Sequence, residues 1–152
     1  MIGYNTVKIK SRPFRGGECY LYKVRKGKVK MGYIRHNAII VIGDSYQGAQ
    51  EKFELAYRKA KELFGDLVSD VVKSVIDGYQ SGGYQSFFIA PDGSKEHWEE
   101  SNAFDEKREI FANFIDSLAY SDGSNCLKFL DIGFDEFYEA EIDRKNKKKH
   151  NG

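Results

Sequence analysis

The sequence predicts an α+β domain built in the order β-α-β-β-α-β, and two observations support this order. First, residues 38–42 and 87–90 are apolar at consecutive positions. Strand side chains alternate between faces, so each run is apolar on both faces, which is typical of a strand inside a sheet. Second, a helical pattern of apolar residues follows each run. Two right-handed β-α-β crossovers then place both helices on one face and the first and third strands in the centre, which is the ferredoxin-like arrangement.

The first helix is predicted over residues 46–64, because apolar residues recur there at helical spacing. They are Ala49, Phe53, Ala56, Ala60 and Leu63. Asp44 is expected to be the N-cap, with Gln47 at the third helical position in a capping-box pattern. Gly65 follows the helical pattern and is expected to take the positive φ that ends many helices.

The second helix is predicted over residues 102–119, with Ser101 or Asn102 as its cap. The residues on its apolar face are Phe104, Phe111, Ile115 and Leu118. The other core strands are predicted at 68–76, 84–90 and 127–133. Residues 134–142 either extend the last strand or form an edge strand.

A single domain is expected over residues 1–143, since a chain of 152 residues can bury one sizeable core. Residues 36–143 are the core, and residues 1–35 are a basic extension with a strand and a β-hairpin. The lysine-rich segment 144–152 has too few apolar residues to fold and is expected to be a disordered tail. The helices would leave a second apolar face of the sheet, for the hairpin or a second copy of the chain to cover.

Charge is unevenly distributed along the chain, although its net charge is only +1. Residues 1–35 have a balance of +9, residues 36–143 of −13, and the tail of +5. Either the basic ends neutralise an acidic body, or they form a surface that binds phosphate. The candidate ligand- or phosphate-binding residues are Lys23, Arg25, Lys28, Lys30, Arg35, His36, Tyr84 and Lys95.

Several classes of functional motif are absent from the sequence. It contains no P-loop, dinucleotide-binding or nucleophile-elbow motif. His36, His97 and His150 lack metal-binding spacing, and Cys19 and Cys126 are far apart, so we expect no metal site, cofactor or disulfide. With neither a secretory signal nor a run of about 18 apolar residues, a reduced cytoplasmic protein is expected.

The densest polar chemistry lies between residues 92 and 100. The candidates for a polar site are Asp92, Ser94, His97 and Trp98. A histidine beside carboxylates can act as a general acid or base, so one interpretation is a small enzyme centred on His97 with Glu96, Glu99 or Glu100. The other interpretation is an exposed, charged turn before the second helix, with Trp98 packed on the core. No second half of a catalytic site is visible, so we assign no catalytic residue and expect a binding protein.

Nucleic-acid binding is an alternative function. RNA-recognition motifs of ferredoxin-like fold stack bases on aromatic residues of two central strands. Residues 83–89, GYQSFFI, partly match the third strand of such a motif, but residues 39–42 include no aromatic residue. Core packing explains Phe87 and Phe88 equally well. The basic hairpin and tail would supply contacts to phosphate.

Several segments resemble a family of small bacteriophage proteins. They are HNAIIV at 36–41, SFFIAPDGSKE at 86–96, WEES at 98–101 and DGS at 122–124. The resemblance covers about residues 35–133. This chain differs from the family by His97, where glycine is expected, by a repeated Gly-Tyr-Gln-Ser, and by its basic N-terminal extension.

The resemblance implies a biological context and no particular activity or cofactor. A phage product is made in the cytoplasm of an infected bacterium, where small accessory proteins bind and disable host factors. We therefore expect an accessory binding protein that inhibits a host defence protein or sequesters a host signalling nucleotide. Its partner would be a host protein or a nucleotide, nucleic acid is the alternative partner, and no membrane is involved.

Overall fold

The computed structural model describes residues 35–74, 83–95, 97–135 and 140–147 of the chain. These residues form five strands and two α-helices. In chain order they are β1 (Arg35–Asp44), α1 (Gln47–Phe64), β2 (Val72–Lys73), β3 (Tyr84–Ile89), α2 (Glu99–Ser117), β4 (Leu127–Asp135) and β5 (Glu141–Lys145). A short 3-10 turn, Gly65–Leu67, follows α1. The predicted N-terminal strand and hairpin lie outside the described residues.

The five strands form one open antiparallel sheet in the order β2-β3-β1-β4-β5. β1 is the middle strand, and its Val41 lies opposite Phe87 of β3 on one side and Phe129 of β4 on the other. The prediction that residues 38–43 and 84–90 form neighbouring inner strands is confirmed. The chain is therefore an α+β protein with two helices packed on an antiparallel sheet.

Both helices lie on one face of the sheet and enclose a continuous apolar core. The side chains that are at most 2% exposed there include Ile39, Val41, Phe53, Phe87, Phe111, Ile115, Leu127 and Phe129. The ring of Phe111 lies between elements, with centroid distances of 5.8 Å to Phe64, 6.5 Å to Phe87 and 6.0 Å to Phe129. The predicted apolar stripes of the helices are confirmed, except that Leu63 and Leu118 are only half-buried.

The second face of the sheet is more exposed than the sequence predicts. Ile40 and Ile42 of β1 are half-buried, Phe88 of β3 is 41% exposed, and Ile142 of β5 is 57% exposed. Burial on both faces, expected for the two inner strands, is incomplete here because both helices lie on the other face. The sheet thus keeps an apolar surface opposite its core.

The helices begin at positions that differ from those predicted. The N-cap of α1 is Tyr46, and Asp44 Oδ1 accepts a hydrogen bond from the Tyr46 backbone N–H at 3.1 Å. The capping box predicted at Asp44 is therefore wrong, because this carboxylate closes a turn before the helix. α2 begins three residues earlier than predicted, with Trp98 as its N-cap. Two acidic residues in its first turn favour this start, since the N-terminal end of a helix attracts negative charge.

The edge strands also differ in length from the predictions. β2 has only two residues, and Val68 makes an isolated bridge to Ile89. β4 extends to Asp135, and β5 is the edge strand that was one of the two expectations for residues 134–142. Arg144, which was expected to lie in the disordered tail, lies in β5 and donates hydrogen bonds to side chains of α2.

Candidate functional site

A cavity of about 750 Å³ opens where β1 ends and α1 begins, beside the start of β3. Its lining residues are Ser45, Gln50, Glu51, Glu54, Lys73, Ser74, Gly83, Tyr84 and Gln85. Most of these side chains are polar, and they include two amides, two carboxylates, two serine hydroxyls, one phenol and one ammonium group. A cavity of this volume can hold a small organic ligand, and these groups would bind it by hydrogen bonds.

Two glutamine side chains in the cavity lining, Gln50 and Gln85, are joined by a hydrogen bond. Gln85 lies on the same face of β3 as Phe87, so it faces α1 and is only 2% exposed. Its Nε2 donates a hydrogen bond to Gln50 Oε1 at 2.7 Å, and Gln50 Nε2 donates to Glu54 Oε1 at 2.9 Å. An ionised Glu54 only accepts hydrogen bonds, so the orientation of both amides is fixed. Each bond uses one of the two hydrogens on an amide nitrogen.

The rim of the cavity is fixed by backbone bonds between neighbouring elements. The Ser45 N–H donates to the Gly83 carbonyl at 2.8 Å, and the Ser74 N–H donates to the Tyr84 carbonyl at 2.8 Å. Tyr84 contributes to the lining, but its side chain alternates with that of Gln85 along β3, so its ring, which is 60% exposed, lies on the opposite face of the sheet. Lys73 lies opposite Gln85 on β2, and in the described part of the chain no carboxylate forms an ion pair with it. Among the residues that the structure describes, the cavity lining therefore holds two carboxylates and one cation that forms no ion pair with a described carboxylate.

A second polar cluster lies near the start of β1, at the other end of the sheet. Asn37 Nδ2 donates to Asp131 Oδ1 at 2.8 Å and to Asp143 Oδ2 at 2.7 Å. Arg35 binds both oxygens of Asp143, and Arg108 Nη1 donates to Asp131 Oδ2 at 2.9 Å. Burial raises the pKa of the Asp131 carboxyl, although Arg108 and Asn37 favour its ionised form. The cluster joins α2, β1, β4 and β5 through internally paired charges.

Glycine is required at one position in this cluster. Gly133 of β4 lies opposite Asn37, and a Cβ atom built there would overlap Asp143 and Arg35. The ion pair between these two side chains therefore occupies the space that a larger residue would need. This close approach indicates that the cluster holds β5 against β1 and β4.

Four of the eight predicted phosphate-binding residues can be located in the described part of the chain, and there they do not form one cluster. Lys23, Arg25, Lys28 and Lys30 lie outside the described residues. Arg35 is bound to Asp143, so a phosphate would have to compete with a carboxylate. β1 has ten residues and is therefore about 30 Å long, with Arg35 at its start and Tyr84 opposite its end. A small ligand could not contact both.

His36 and Lys95 each pack on an aromatic ring. The His36 ring centroid lies 5.7 Å from that of Phe134, and its Nδ1 is buried with no hydrogen-bond partner among the described residues. The Lys95 Nζ lies 5.4 Å from the ring centroid of Trp98. These contacts favour a packing role for both side chains.

The predicted polar site is an exposed turn in the structure. Asp92 Oδ2 accepts hydrogen bonds from the backbone N–H and the hydroxyl of Ser94, which closes the turn locally. His97 is exposed and has a φ of 70°, a value uncommon for residues other than glycine. Trp98 is 52% exposed, so the expectation that it packs on the core is wrong. Its position as N-cap, before two exposed acidic residues, keeps it at the surface.

Sequence reasoning missed the residues that build the cavity, apart from Tyr84. Gln50 and Gln85 belong to different elements, 35 residues apart, and no local pattern pairs them. One signal was available. Gln85 has the same strand parity as Phe87 and Ile89, so it is a polar residue at an inward-facing position, and such a residue needs a hydrogen-bond partner.

Comparison of the chain with protein-family models, with curated proteins and with solved structures gives no match. Neither helix in the described ranges is long and apolar enough to cross a membrane. Within the same ranges, no group of three His, Cys, Asp or Glu side chains could hold a metal ion. The chemistry of the cavity is therefore the main guide to function.

Proposed function

We propose that this chain is a phage-encoded accessory binding protein that acts in the cytoplasm of an infected bacterium by sequestering a host nucleotide. The resemblance of residues 35–133 to small bacteriophage proteins supports the context. The cavity at the end of β1 supports the activity, because it offers hydrogen-bonding side chains held in fixed orientations. The fixed amide pair, Gln85 and Gln50, is the observation on which the proposal depends.

The cavity has the three kinds of group that a nucleotide requires. The Gln50 amide, which the buried Gln85 holds in orientation, can pair with the edge of a base, since it places a donor beside an acceptor. The Lys73 ammonium can bind a phosphate oxygen. Glu51 and Glu54 can accept hydrogen bonds from ribose hydroxyls.

Binding of nucleosides, cyclic nucleotides and nucleoside phosphates to the full chain tests this proposal. The protein should bind at least one member by calorimetry, and its melting temperature should rise, because a ligand that binds only the folded state stabilises it. Gln85→Met keeps the side-chain volume but removes the amide, and it should weaken binding by about tenfold or more. Asn102→Met changes an exposed amide on α2 and serves as the matched control. The proposal fails if the natural chain binds no member of the panel.

We also infer that β1 to β4 with the two helices form a ferredoxin-like core, to which β5 adds an edge strand. The strand order β2-β3-β1-β4, antiparallel pairing throughout, and two helices on one face support this inference. An experimental structure would test it through the hand of the two crossovers, both of which should be right-handed.

RNA binding is a second candidate function, and the exposed side chains of β3 favour it. Tyr84 and Phe88 are 60% and 41% exposed on an inner strand, where RNA-recognition motifs carry their stacking aromatics. A mobility-shift titration with mixed-sequence RNA at low salt should then show binding. Phe88→Ala and charge reversal at Arg25 and Lys28 should weaken it for all sequences alike, because stacking and phosphate contacts do not select bases. A flat titration would contradict this function.

The face of the sheet opposite the helices, which carries Phe88, would also bind the other predicted partners, a host protein or a second copy of the chain. Val72 and Ile142 at its two edges are 65% and 57% exposed, and Phe88 lies between them. Exposed apolar patches of this kind mark association surfaces. Sedimentation analysis of the natural chain and of Phe88→Ser tests this role. A monomer at all concentrations, together with no host protein whose capture depends on Phe88, would exclude it.

A further inference from the structure

We infer that the cavity selects nucleosides and nucleotides whose phosphate is a diester, and that it rejects those with a terminal phosphate. This inference rests on the proposed function and specifies its ligand class. It depends on the charges of the lining, which comprise the carboxylates of Glu51 and Glu54 and the single ammonium of Lys73. The lining is therefore net negative, so it opposes a highly charged anion.

The charge of the ligand determines whether the charged groups of the lining attract it or repel it. A phosphodiester carries one negative charge, which the Lys73 ammonium alone can neutralise. A phosphate monoester carries about −1.5 to −2 at pH 7, and a di- or triphosphate carries more. The surplus charge would lie among the carboxylates of Glu51 and Glu54, where like charges repel. A neutral nucleoside meets no such repulsion.

The hydrogen bonds within the lining limit how far the Glu54 carboxylate can move away from a bound anion. Glu54 accepts the Gln50 amide, which in turn accepts the Gln85 amide. Rotation of the Glu54 carboxyl away from Gln50 would break this chain and free both amides from their fixed orientation. The carboxylate that repels a terminal phosphate is thus the same one that orients the groups facing the base.

This selectivity fits the task of sequestering a nucleotide that is less abundant than the cell's nucleoside triphosphates. A cavity that accepted triphosphates would be filled by them, because occupancy follows concentration as well as affinity. Discrimination between two related ligands is a difference of affinities, and repulsion of the wrong ligand is an efficient way to obtain it.

A series with constant base and increasing charge tests the inference. Adenosine, 3′,5′-cyclic AMP, AMP and ATP, and the four guanine counterparts, would be titrated into the full chain without divalent cations. For the base that binds, we expect the cyclic nucleotide to bind at least about tenfold more tightly than the triphosphate, with the monoester between them. Equal affinity for the cyclic nucleotide and the triphosphate would overturn the inference and leave the proposed function standing. If no member of either series binds, the proposed function itself fails.

Two variants test whether the charges of Glu51 and Lys73 cause this selectivity. Glu51→Gln keeps an oxygen that can accept a hydrogen bond and removes the charge, so it should raise the affinity for the triphosphate much more than that for the nucleoside and narrow the gap between them by about fivefold or more. Lys73→Met should lower the affinity for the cyclic nucleotide to that for the nucleoside or below it, because only the two carboxylates then act on its charge. Both residues are exposed, so folding should be unaffected, and melting curves without ligand verify this. Binding that neither variant changes would contradict the assigned charges.

Discussion

Gly43 and Gly48 lie five residues apart and are expected to respond in opposite directions to the same substitution. A Cβ atom on Gly43 would lie 2.6 Å from Phe53 Cδ2 and 3.0 Å from Leu127 Cδ2, in the packed core. Gly43→Ala should therefore lower the free energy of unfolding by about 1–3 kcal/mol. On Gly48, in the first turn of α1, the nearest atom would be 3.4 Å away. Gly48→Ala should raise the free energy of unfolding by about 0.5–1 kcal/mol, because alanine favours the helix.

Urea unfolding of both variants measures these two free energies. The Gly48 variant also serves as the control, since it carries the same added methyl group outside the core. A Gly43 variant as stable as the natural chain would contradict the packing described between β1, α1 and β4.

The buried carboxyl of Asp131 predicts an unusual pH dependence of stability. Burial raises its pKa in the folded state above the unfolded value of about 3.9. The folded protein then binds this proton more tightly than the unfolded chain does. The contribution of Asp131 to stability should therefore fall as the pH rises from about 3.9 through the folded pKa, and stay constant above it. In Asp131→Asn the free energy of unfolding should increase more steeply with pH over this range.

Glu109 provides a comparison of opposite sign. Hydrogen bonds from Arg144 and Asn113 lower the pKa of the Glu109 carboxyl. Its contribution is thus present above the unfolded value and is lost as the pH falls through the folded pKa. Urea unfolding between pH 3 and pH 7 should show this loss in the natural chain and not in Glu109→Gln.

Parallel curves for the natural chain and Asp131→Asn would contradict the role assigned to Asp131.

At the scale of elements, β5 is held in place by side chains more than by apolar burial. Asn146, just beyond β5, accepts the Phe129 N–H at 2.9 Å and donates to the Leu127 carbonyl at 3.1 Å. The Asn146 amide thus makes the hydrogen bonds to β4 that the backbone of a neighbouring strand would otherwise make. Asn146→Ala should leave both backbone groups without a partner and lower the free energy of unfolding by about 1–3 kcal/mol.

Hydrogen exchange locates this effect. The Phe129 amide should exchange faster in Asn146→Ala, while amides between β1 and β3 should be unchanged. Lys145→Ala alters the neighbouring exposed residue and should have no such effect. Unchanged protection at Phe129 in Asn146→Ala would show that water or another group replaces the lost bond.

The elements that the sequence predicts well are those whose cause is local. Helix positions follow from apolar residues at helical spacing, and the two inner strands follow from continuous apolar runs. β5 has no such signal, because it is held by Asp143 and Arg144, whose partners lie at residues 35, 37, 109 and 113. The helix starts were missed for a similar reason. Asp44 resembles a cap in sequence, but its carboxylate closes the preceding turn.

The candidate site was less predictable than the fold. Its amide pair forms only when the chain brings β3 against α1, so neither glutamine has a recognisable motif around it. The positions that sequence reasoning selected by charge lie mostly in the N-terminal extension or in internal ion pairs such as that of Arg35. Net charge reports what a surface attracts, whereas a cavity depends on contacts between distant segments.

For the whole molecule, the aromatic core determines whether the domain is folded. Phe111 contacts rings from α1, β3 and β4, and it is fully buried. Phe111→Ala should lower the free energy of unfolding by about 3–5 kcal/mol, a large part of the 5–15 kcal/mol typical of a domain. Phe111→Leu fills more of the cavity and should cost less. Calorimetric melting temperatures should therefore fall in the order natural chain, leucine variant, alanine variant. A leucine variant less stable than the alanine variant would contradict this packing.

The position of β1 between β3 and β4 affects how the protein is made. Leu127, the first residue of β4, follows Asp44, the last residue of β1, by 83 residues. A ribosome that adds about 5–20 residues per second needs roughly 4–17 s to synthesise that stretch. During this time one edge of β1 has no partner strand, and its backbone groups can pair with another nascent chain. The yield of folded protein should therefore depend on how many chains are synthesised together, even though the finished domain has β1 protected on both sides.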